Sequence, residues 1–121
     1  MTNPLAFIIE DDEQLANIFS IAFQDAKFDT EVLRNGRVAL ERLKQISPLL
    51  VVLDMHLPHV SGKEILQFIR SEPKLEQVSV LLATADPGLA ENLEDDVDLV
   101  LIKPISFIQL RDLAKRFHPN F

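Results

Sequence analysis

The 121-residue sequence contains no cysteine, tryptophan or tyrosine and only three glycines. The lack of cysteine excludes disulfides, thiolate metal sites and cysteine nucleophiles. With so few glycines the chain has no glycine-rich phosphate loop, which argues against a flavin or dinucleotide carrier. No apolar run approaches the roughly 20 residues of a membrane helix, and residues 1–4 lack the features of a signal peptide. We therefore expect a cytoplasmic protein that does not contact a membrane.

Basic residues are also scarce, because twelve Lys and Arg stand against nineteen Asp and Glu and give a net charge of −7. A nucleic-acid-binding surface normally carries a basic patch, so we expect no direct nucleic-acid partner. Apolar residues are plentiful at 47%, which is enough for a real core and argues against disorder. A chain of this length is expected to form one domain over residues 1–121.

Short apolar runs alternate with stretches of helical periodicity along the chain. The apolar runs predict five strands, at residues 5–9, 29–33, 49–53, 78–83 and 99–102. The segment between the last two strands allows at most a short helix, at residues 89–93. The final helix begins at a capping-box sequence, Ser106 to Gln109, and its inner face is predicted to include Phe107. Strands that alternate with helices predict a parallel sheet covered by helices on both faces.

Polar side chains follow four of these runs at their carboxyl ends. Glu10 and Asp11 follow the first run, Asp54 the third, Thr84 the fourth and Lys103 the fifth. Because the carboxyl ends of neighbouring parallel strands meet at one edge of a sheet, these groups should converge. Clustered carboxylates repel one another unless a cation joins them, and their oxygens suit Mg²⁺. Asp54 is then placed to act as a nucleophile toward a phosphoryl group.

The sequence from Asp54 to Gly62, DMHLPHVSG, resembles a loop of the response-regulator receiver domains of two-component signalling. In that family the phosphoacceptor Asp is followed by Leu or Met, then Pro, and by Gly eight positions on. Three further pairs resemble the family's other strand-end motifs, namely Glu10-Asp11, Thr84-Ala85 and Lys103-Pro104. The resemblance covers essentially the whole chain. It implies an α/β, flavodoxin-like fold, in which a doubly wound five-stranded parallel sheet has the order 2-1-3-4-5 and the fourth helix is shortened.

The resemblance also assigns roles to individual residues. Asp54 would be the phosphoacceptor, with Lys103 and Thr84 stabilising the phosphoryl oxygens. The implied ligands of Mg²⁺ are Glu10, mainly through water, Asp11, Asp54 and the backbone carbonyl of His56. Structural roles fall to Pro58, Gly62 and Pro104, the last after a peptide bond that is commonly cis in the family.

Neighbouring residues are expected to tune the site or to support it. His56 and Asp86 lie two residues beyond Asp54 and Thr84, so they would modulate the lifetime of the acyl phosphate. Asp12 is also acidic, but we expect it to cap the helix that follows rather than to join the acidic pair.

The function that the resemblance implies is a receiver that accepts a phosphoryl group from a histidine kinase or phosphotransfer protein and switches a downstream protein partner of unknown identity. It would catalyse only its own phosphorylation and dephosphorylation, and residues 1–121 would be a single receiver domain without an output domain. Val100 stands where relatives carry an aromatic switch residue. This departure and the short fourth helix leave open an alternative, a phosphorylation-independent interaction module. An aspartate-nucleophile phosphohydrolase is disfavoured, because it needs an acid where His56 stands.

Overall fold

The computed structural model describes residues 2–120, and a single parallel sheet forms its centre. The five strands are β1 (Leu5–Ile9), β2 (Asp29–Leu33), β3 (Leu50–Asp54), β4 (Ser79–Thr84) and β5 (Leu99–Ile102). Their order is β2-β1-β3-β4-β5, which confirms the predicted topology. Two strands extend one residue further than the apolar runs indicated, because Asp54 and Thr84 still pair within the sheet.

Residues 2–120 also form four α-helices and two 3₁₀ helices, and all of them except the last α-helix lie between strands. They are α1 (Glu13–Asp25), α2 (Gly36–Gln45), α3 (Gly62–Ser71) and α4 (Phe107–Phe117), with 3₁₀ helices at Pro73–Leu75 and Pro87–Asp96. Every α-helix begins at a residue whose side chain accepts a hydrogen bond from the third backbone N–H beyond it. The cap of α1 is Asp12, and the capping box of Ser106 and Gln109 opens α4, so both predictions are confirmed. Within residues 2–120 no helix is both long and apolar enough to cross a membrane.

The side chains of the inner strands form two hydrophobic layers, one on each face of the sheet. On β1, Phe7 and Ile9 pack against α2 and α3, whereas Ala6 and Ile8 pack against α1 and α4. The same alternation continues on β3, where all five residues are buried. Strands covered on both faces are apolar at every position, which is why they stood out in the sequence as continuous runs.

The connection between β4 and β5 differs from the short helix expected at residues 89–93. Its helix has 3₁₀ geometry and runs from Pro87 to Asp96, so it extends beyond the predicted residues at both ends and includes the acidic residues 94–96. The two buried residues of this segment, Ala90 and Leu93, are three apart, which is one turn of a 3₁₀ helix. The guanidinium of Arg70 holds the far end by donating to the carbonyl of Asp96 at 2.7 Å. The shortened fourth helix is therefore this 3₁₀ helix, called the 3₁₀ segment below.

The prediction for Phe107 was wrong, because its side chain is 36% exposed. Phe107 is the first residue of α4, and the buried positions of that helix are Leu110 and Ala114, one and two turns further on. Helical spacing identifies which residues share a face, but it does not show how far along the helix the contact with the core extends.

Candidate functional site

Side chains from three strands meet at the carboxyl edge of the sheet. Glu10 follows β1 and Asp54 ends β3, and these strands are neighbours with Ile9 opposite Leu53. Both carboxylates are buried, with exposures of 1% and 4%. Lys103 follows β5 and its Nζ donates to Glu10 Oε1 at 3.0 Å and to Asp54 Oδ1 at 3.1 Å. One ammonium group therefore joins two buried carboxylates from different strands.

Asp11 adds a third carboxylate on the solvent side of this cluster. Oxygens of Glu10, Asp11 and Asp54 all lie within 4.8 Å of one another, and the Asp11 side chain is exposed. Hard divalent cations prefer oxygen ligands, and Mg²⁺ binds through one or two carboxylates while it keeps several waters. The donor set fits such an ion, since two acids lie inside the fold and one faces the water that would complete the coordination.

Electrostatics favour a cation at this position. Burial raises the pKa of Glu10 from 4.5 to about 7, and the charge of Asp54 adds to the increase against the opposing hydrogen bond from Lys103. Burial alone would lower the pKa of Lys103, but its contacts with Glu10 and Asp54 outweigh that effect and raise it above 10.5. Three carboxylates thus lie together with one ammonium group, which contacts only Glu10 and Asp54, and the excess negative charge is confined to a partly desolvated pocket.

The turn between β1 and α1 is fixed by hydrogen bonds on both sides of Asp11. The Asp12 backbone N–H donates to Glu10 Oε2 at 3.2 Å, and the Asp12 side chain accepts from Leu15 N at 2.9 Å. Asp12 therefore belongs to the helix and stands apart from the acidic cluster. The carbonyl of Asp11 accepts two hydrogen bonds from Arg34, which is not among the site residues predicted from the sequence. Arg34 directly follows β2, and this position at a strand end is the signal in the sequence that points to it.

The loop after β3 folds back on the phosphoacceptor candidate. The His56 backbone N–H donates to Asp54 Oδ1 at 3.3 Å, while the His56 side chain is exposed. Gly62 N–H donates to the carbonyl of Met55 at 3.2 Å, and a Cβ on Gly62 would lie 2.3 Å from the Asp54 carbonyl oxygen. Only glycine fits this approach, which accounts for the glycine eight positions after Asp54. The carbonyl of Pro58 accepts from Gly36 N at 3.2 Å.

Thr84 lies at the same sheet edge and is fully buried, but its hydroxyl bonds to a residue other than those of the carboxylate cluster. Thr84 Oγ1 donates to the Asp86 carbonyl at 3.2 Å and accepts from the Asp86 N–H at 3.0 Å. The Asp86 carboxylate accepts from Gly88 N at 2.9 Å and caps the 3₁₀ segment. The carbonyl of Thr84 accepts from Lys103 N at 2.9 Å, and the peptide bond between Lys103 and Pro104 is cis, in line with the resemblance.

Comparison with known proteins gives matches over nearly the whole chain. The model of the response regulator receiver domain matches residues 6–115. The DNA-binding response regulator MtrA of Mycolicibacterium paratuberculosis is 29% identical over 97 residues, which cover 80% of this chain and 43% of that protein. The chain thus spans less than half the length of this relative.

Solved structures share the fold. The chemotaxis response regulator CheY4 of Vibrio cholerae superposes with a TM-score of 0.86 at 19% identity, covering 96% of this chain and 99% of that one. The response regulator TrrA of Thermotoga maritima, solved in complex with Mg²⁺ and BeF, has a TM-score of 0.82 at 21% identity and coverages of 97% and 99%.

Proposed function

Because this chain belongs to the response regulator receiver domain family, we propose that it accepts a phosphoryl group on Asp54 from a histidine kinase or a phosphotransfer protein. The observation that carries the proposal is the position of Asp54, a buried carboxylate at the end of a central strand that contacts Lys103 and lies beside two further acids. The chain is a signalling module, and its chemistry is limited to its own phosphorylation and dephosphorylation.

Asp54 is the nucleophile. Its Oδ1 accepts hydrogen bonds from Lys103 and from the backbone of His56, which fixes the plane of the carboxylate. Within residues 2–120, Oδ2 accepts no hydrogen bond and keeps its lone pairs for phosphorus. A bond forms between Oδ2 and phosphorus while the bond from phosphorus to the donor's nitrogen or oxygen breaks, and the donor leaves with that electron pair. The product is an acyl phosphate, which water hydrolyses spontaneously.

The acidic cluster is the proposed binding site of Mg²⁺. Glu10, Asp11 and Asp54 would hold the ion, with the backbone carbonyl of His56 as a further ligand. When bound, the ion would offset the mutual repulsion of the carboxylates and polarise the phosphoryl oxygens. The Thermotoga maritima relative was solved in complex with Mg²⁺ and BeF, which supports the choice of Mg²⁺ as the ion.

Lys103 and Thr84 stabilise the charge of the transferred group. Lys103 already contacts Asp54, so its ammonium group needs only a small movement to donate to a phosphoryl oxygen. The Thr84 hydroxyl is bound to the backbone of Asp86 and must leave it to reach the phosphoryl group. Phosphorylation therefore competes with the turn that opens the 3₁₀ segment. Val100 is partly buried and packs against the hydrophobic layer that includes Ala90 and Leu93 of this segment. We infer that the change is transmitted without an aromatic switch residue.

The output of the signal is a change in protein binding. MtrA is a DNA-binding response regulator, but this chain spans 43% of that protein, and the acidic charge of the chain does not favour DNA as its own ligand. We infer a downstream protein partner that recognises the surface around the 3₁₀ segment, and a cytoplasmic location in which the kinase is accessible. Exposed His56 and Asp86, beside the site, set how fast water reaches the acyl phosphate.

The experiment that tests this function is intact-mass measurement after incubation with acetyl phosphate and Mg²⁺. The parent chain should gain one phosphoryl group, and the gain should disappear in Asp54→Asn and on chelation of the metal. Asp29→Asn, a change at an exposed residue that begins β2 at the opposite edge of the sheet, is the matched control and should be phosphorylated like the parent. A folded parent that gains no mass would refute the proposal and favour a phosphorylation-independent interaction module.

A further inference from the structure

We propose that Arg34 is a positioning residue for the metal site, because its side chain holds the backbone of Asp11 in the place from which the Asp11 carboxylate reaches the cation. The proposal rests on the function proposed above and concerns the binding of Mg²⁺ at that site.

Arg34 is brought to Asp11 by the pairing of the two strands that precede these residues. Leu33 at the end of β2 lies opposite Ile9 at the end of β1, and the Glu10 N–H donates to the Leu33 carbonyl at 3.1 Å. Arg34 Nη2 then donates to the Asp11 carbonyl at 2.6 Å and Nε donates to the same oxygen at 3.2 Å. Two donors of a planar cation on one acceptor fix the orientation of that peptide unit.

The Asp11 side chain lacks the contacts that hold the carboxylates of Glu10 and Asp54 in place. Lys103 binds both Glu10 and Asp54, and each of these is buried. The Asp11 side chain is exposed and takes part in no hydrogen bond or ion pair among residues 2–120. The position of its carboxylate therefore depends on its backbone. Two side chains restrain the peptide unit that follows Asp11: Arg34 donates to its carbonyl, and Glu10 Oε2 accepts from its N–H at 3.2 Å.

The turn from Arg34 to Gly36 also contacts the loop that follows Asp54. Gly36 N–H donates to the Pro58 carbonyl at 3.2 Å, and a Cβ on Gly36 would lie 2.1 Å from the carbonyl oxygen of Val60. The turn from Arg34 to Gly36 thus touches both loops that carry the proposed metal ligands. We infer that it sets the separation of these loops, with Arg34 acting on one side and Gly36 on the other.

Charge and positioning predict opposite effects when Arg34 is replaced by methionine. Removing a cation beside three carboxylates should by electrostatics alone strengthen Mg²⁺ binding. Losing the restraint on Asp11 should weaken it, because the carboxylate must then be ordered when the ion binds. Groups that orient a metal ligand typically change affinity about 10- to 100-fold when they are removed. We expect about 10-fold weaker binding of Mg²⁺ by Arg34→Met, since the carboxylates themselves remain.

The test is a calorimetric titration of Mg²⁺ into four forms of the full chain: the parent, Arg34→Met, Arg34→Lys and Arg37→Met. Arg37 is exposed and has no hydrogen bond or ion pair among residues 2–120, so its replacement makes the same charge change without the contact. It should bind Mg²⁺ within about twofold of the parent, because charges on the open surface are screened. Arg34→Lys keeps one donor group and should fall between the parent and Arg34→Met. Hydrogen exchange of the amides at residues 11–13 should be faster in Arg34→Met than in Arg37→Met.

Several results would overturn the inference. The first is that Arg34→Met binds Mg²⁺ as tightly as the parent or more tightly. The second is that Arg37→Met loses as much affinity for Mg²⁺ as Arg34→Met does. The third is that Arg34→Met lowers the free energy of unfolding but leaves the affinity for Mg²⁺ unchanged. A parent that binds no Mg²⁺ would refute both the inference and the metal site. Phosphorylation of the parent together with unchanged affinity in Arg34→Met would leave the proposed function standing and remove the role of Arg34. Weaker Mg²⁺ binding by Arg34→Met, in a chain whose parent form is never phosphorylated, would support the role of Arg34 and refute the proposed function.

Discussion

Replacing Glu10 by glutamine should make the metal-free protein more stable at alkaline pH, although it removes a proposed functional group. Glu10 is buried beside Asp54, and burial raises its pKa from 4.5 to about 7. The folded protein therefore binds this proton more tightly than the unfolded chain does. Stability linked to protonated Glu10 is fully present below about pH 4.5 and is lost as the pH rises through about 7. Glutamine has the same shape and cannot ionise, so the variant avoids this loss.

The size of the effect follows from the change in pKa. A shift from 4.5 to about 7 corresponds to about 3 kcal/mol at roughly 1.4 kcal/mol for each pKa unit. We expect Glu10→Gln to exceed the parent in free energy of unfolding by up to about 3 kcal/mol at pH 8, and to match it near pH 4.5. Mg²⁺ should narrow the difference at pH 8, because it binds the folded parent and so stabilises it, whereas the variant has lost one ligand.

The assay is urea unfolding followed by far-ultraviolet circular dichroism, since the chain has no Trp or Tyr for fluorescence. Parent and variant are compared from pH 4.5 to pH 8 with a chelator and with Mg²⁺. Glu76→Gln at an exposed position is the matched control, and it should change stability by less than about 0.5 kcal/mol at every pH. A difference between Glu10→Gln and the parent that stays flat across this pH range, or a variant that is less stable at pH 8, would refute the reasoning.

Three further changes test the structure by the same unfolding assay. Gly62→Ala should lower the free energy of unfolding by about 1–3 kcal/mol, because its Cβ would lie 2.3 Å from the backbone carbonyl oxygen of the last residue of β3. Gly88→Ala is the control and should be nearly neutral, because its Cβ would meet only a side-chain atom at 3.2 Å. Equal losses of stability in the two variants would contradict this reasoning. Asp98→Ala should lower the free energy of unfolding by about 1–3 kcal/mol, because it removes the carboxylate oxygen that accepts from the N–H of buried Val80 at 2.7 Å. Unchanged stability would show that water replaces the carboxylate as the acceptor. Ser106→Ala should cost about 1 kcal/mol through loss of the cap of α4, and no change would mean that the cap contributes nothing.

The sequence was sufficient for the sheet and for the meeting of Glu10, Asp11, Asp54 and Lys103 at its edge. Strands covered on both faces must be apolar throughout, so β1, β3 and β4 were visible as uninterrupted runs, and alternation with helices left a parallel arrangement as the natural topology. Since parallel strands end at a common edge of the sheet, the residues that follow these apolar runs must be neighbours, however the helices pack. Local signals sufficed for the caps at Asp12 and Ser106, because each depends on contacts within one turn.

Contacts between distant segments were decided only by the tertiary structure. Glu10 and Asp11 are adjacent acids, yet one is buried against Lys103 and the other is exposed, and nothing in a turn with no periodicity distinguishes them. The hydrogen bonds of Arg34 to Asp11 and the buried end of α4 likewise depend on how elements pack, not on any pattern within them. Spacing along a chain determines which residues share a face or an edge, because backbone geometry repeats. Which of them are desolvated, and which partners they bind there, depends on the packing of segments far apart in sequence, and for Glu10 that packing sets the pKa.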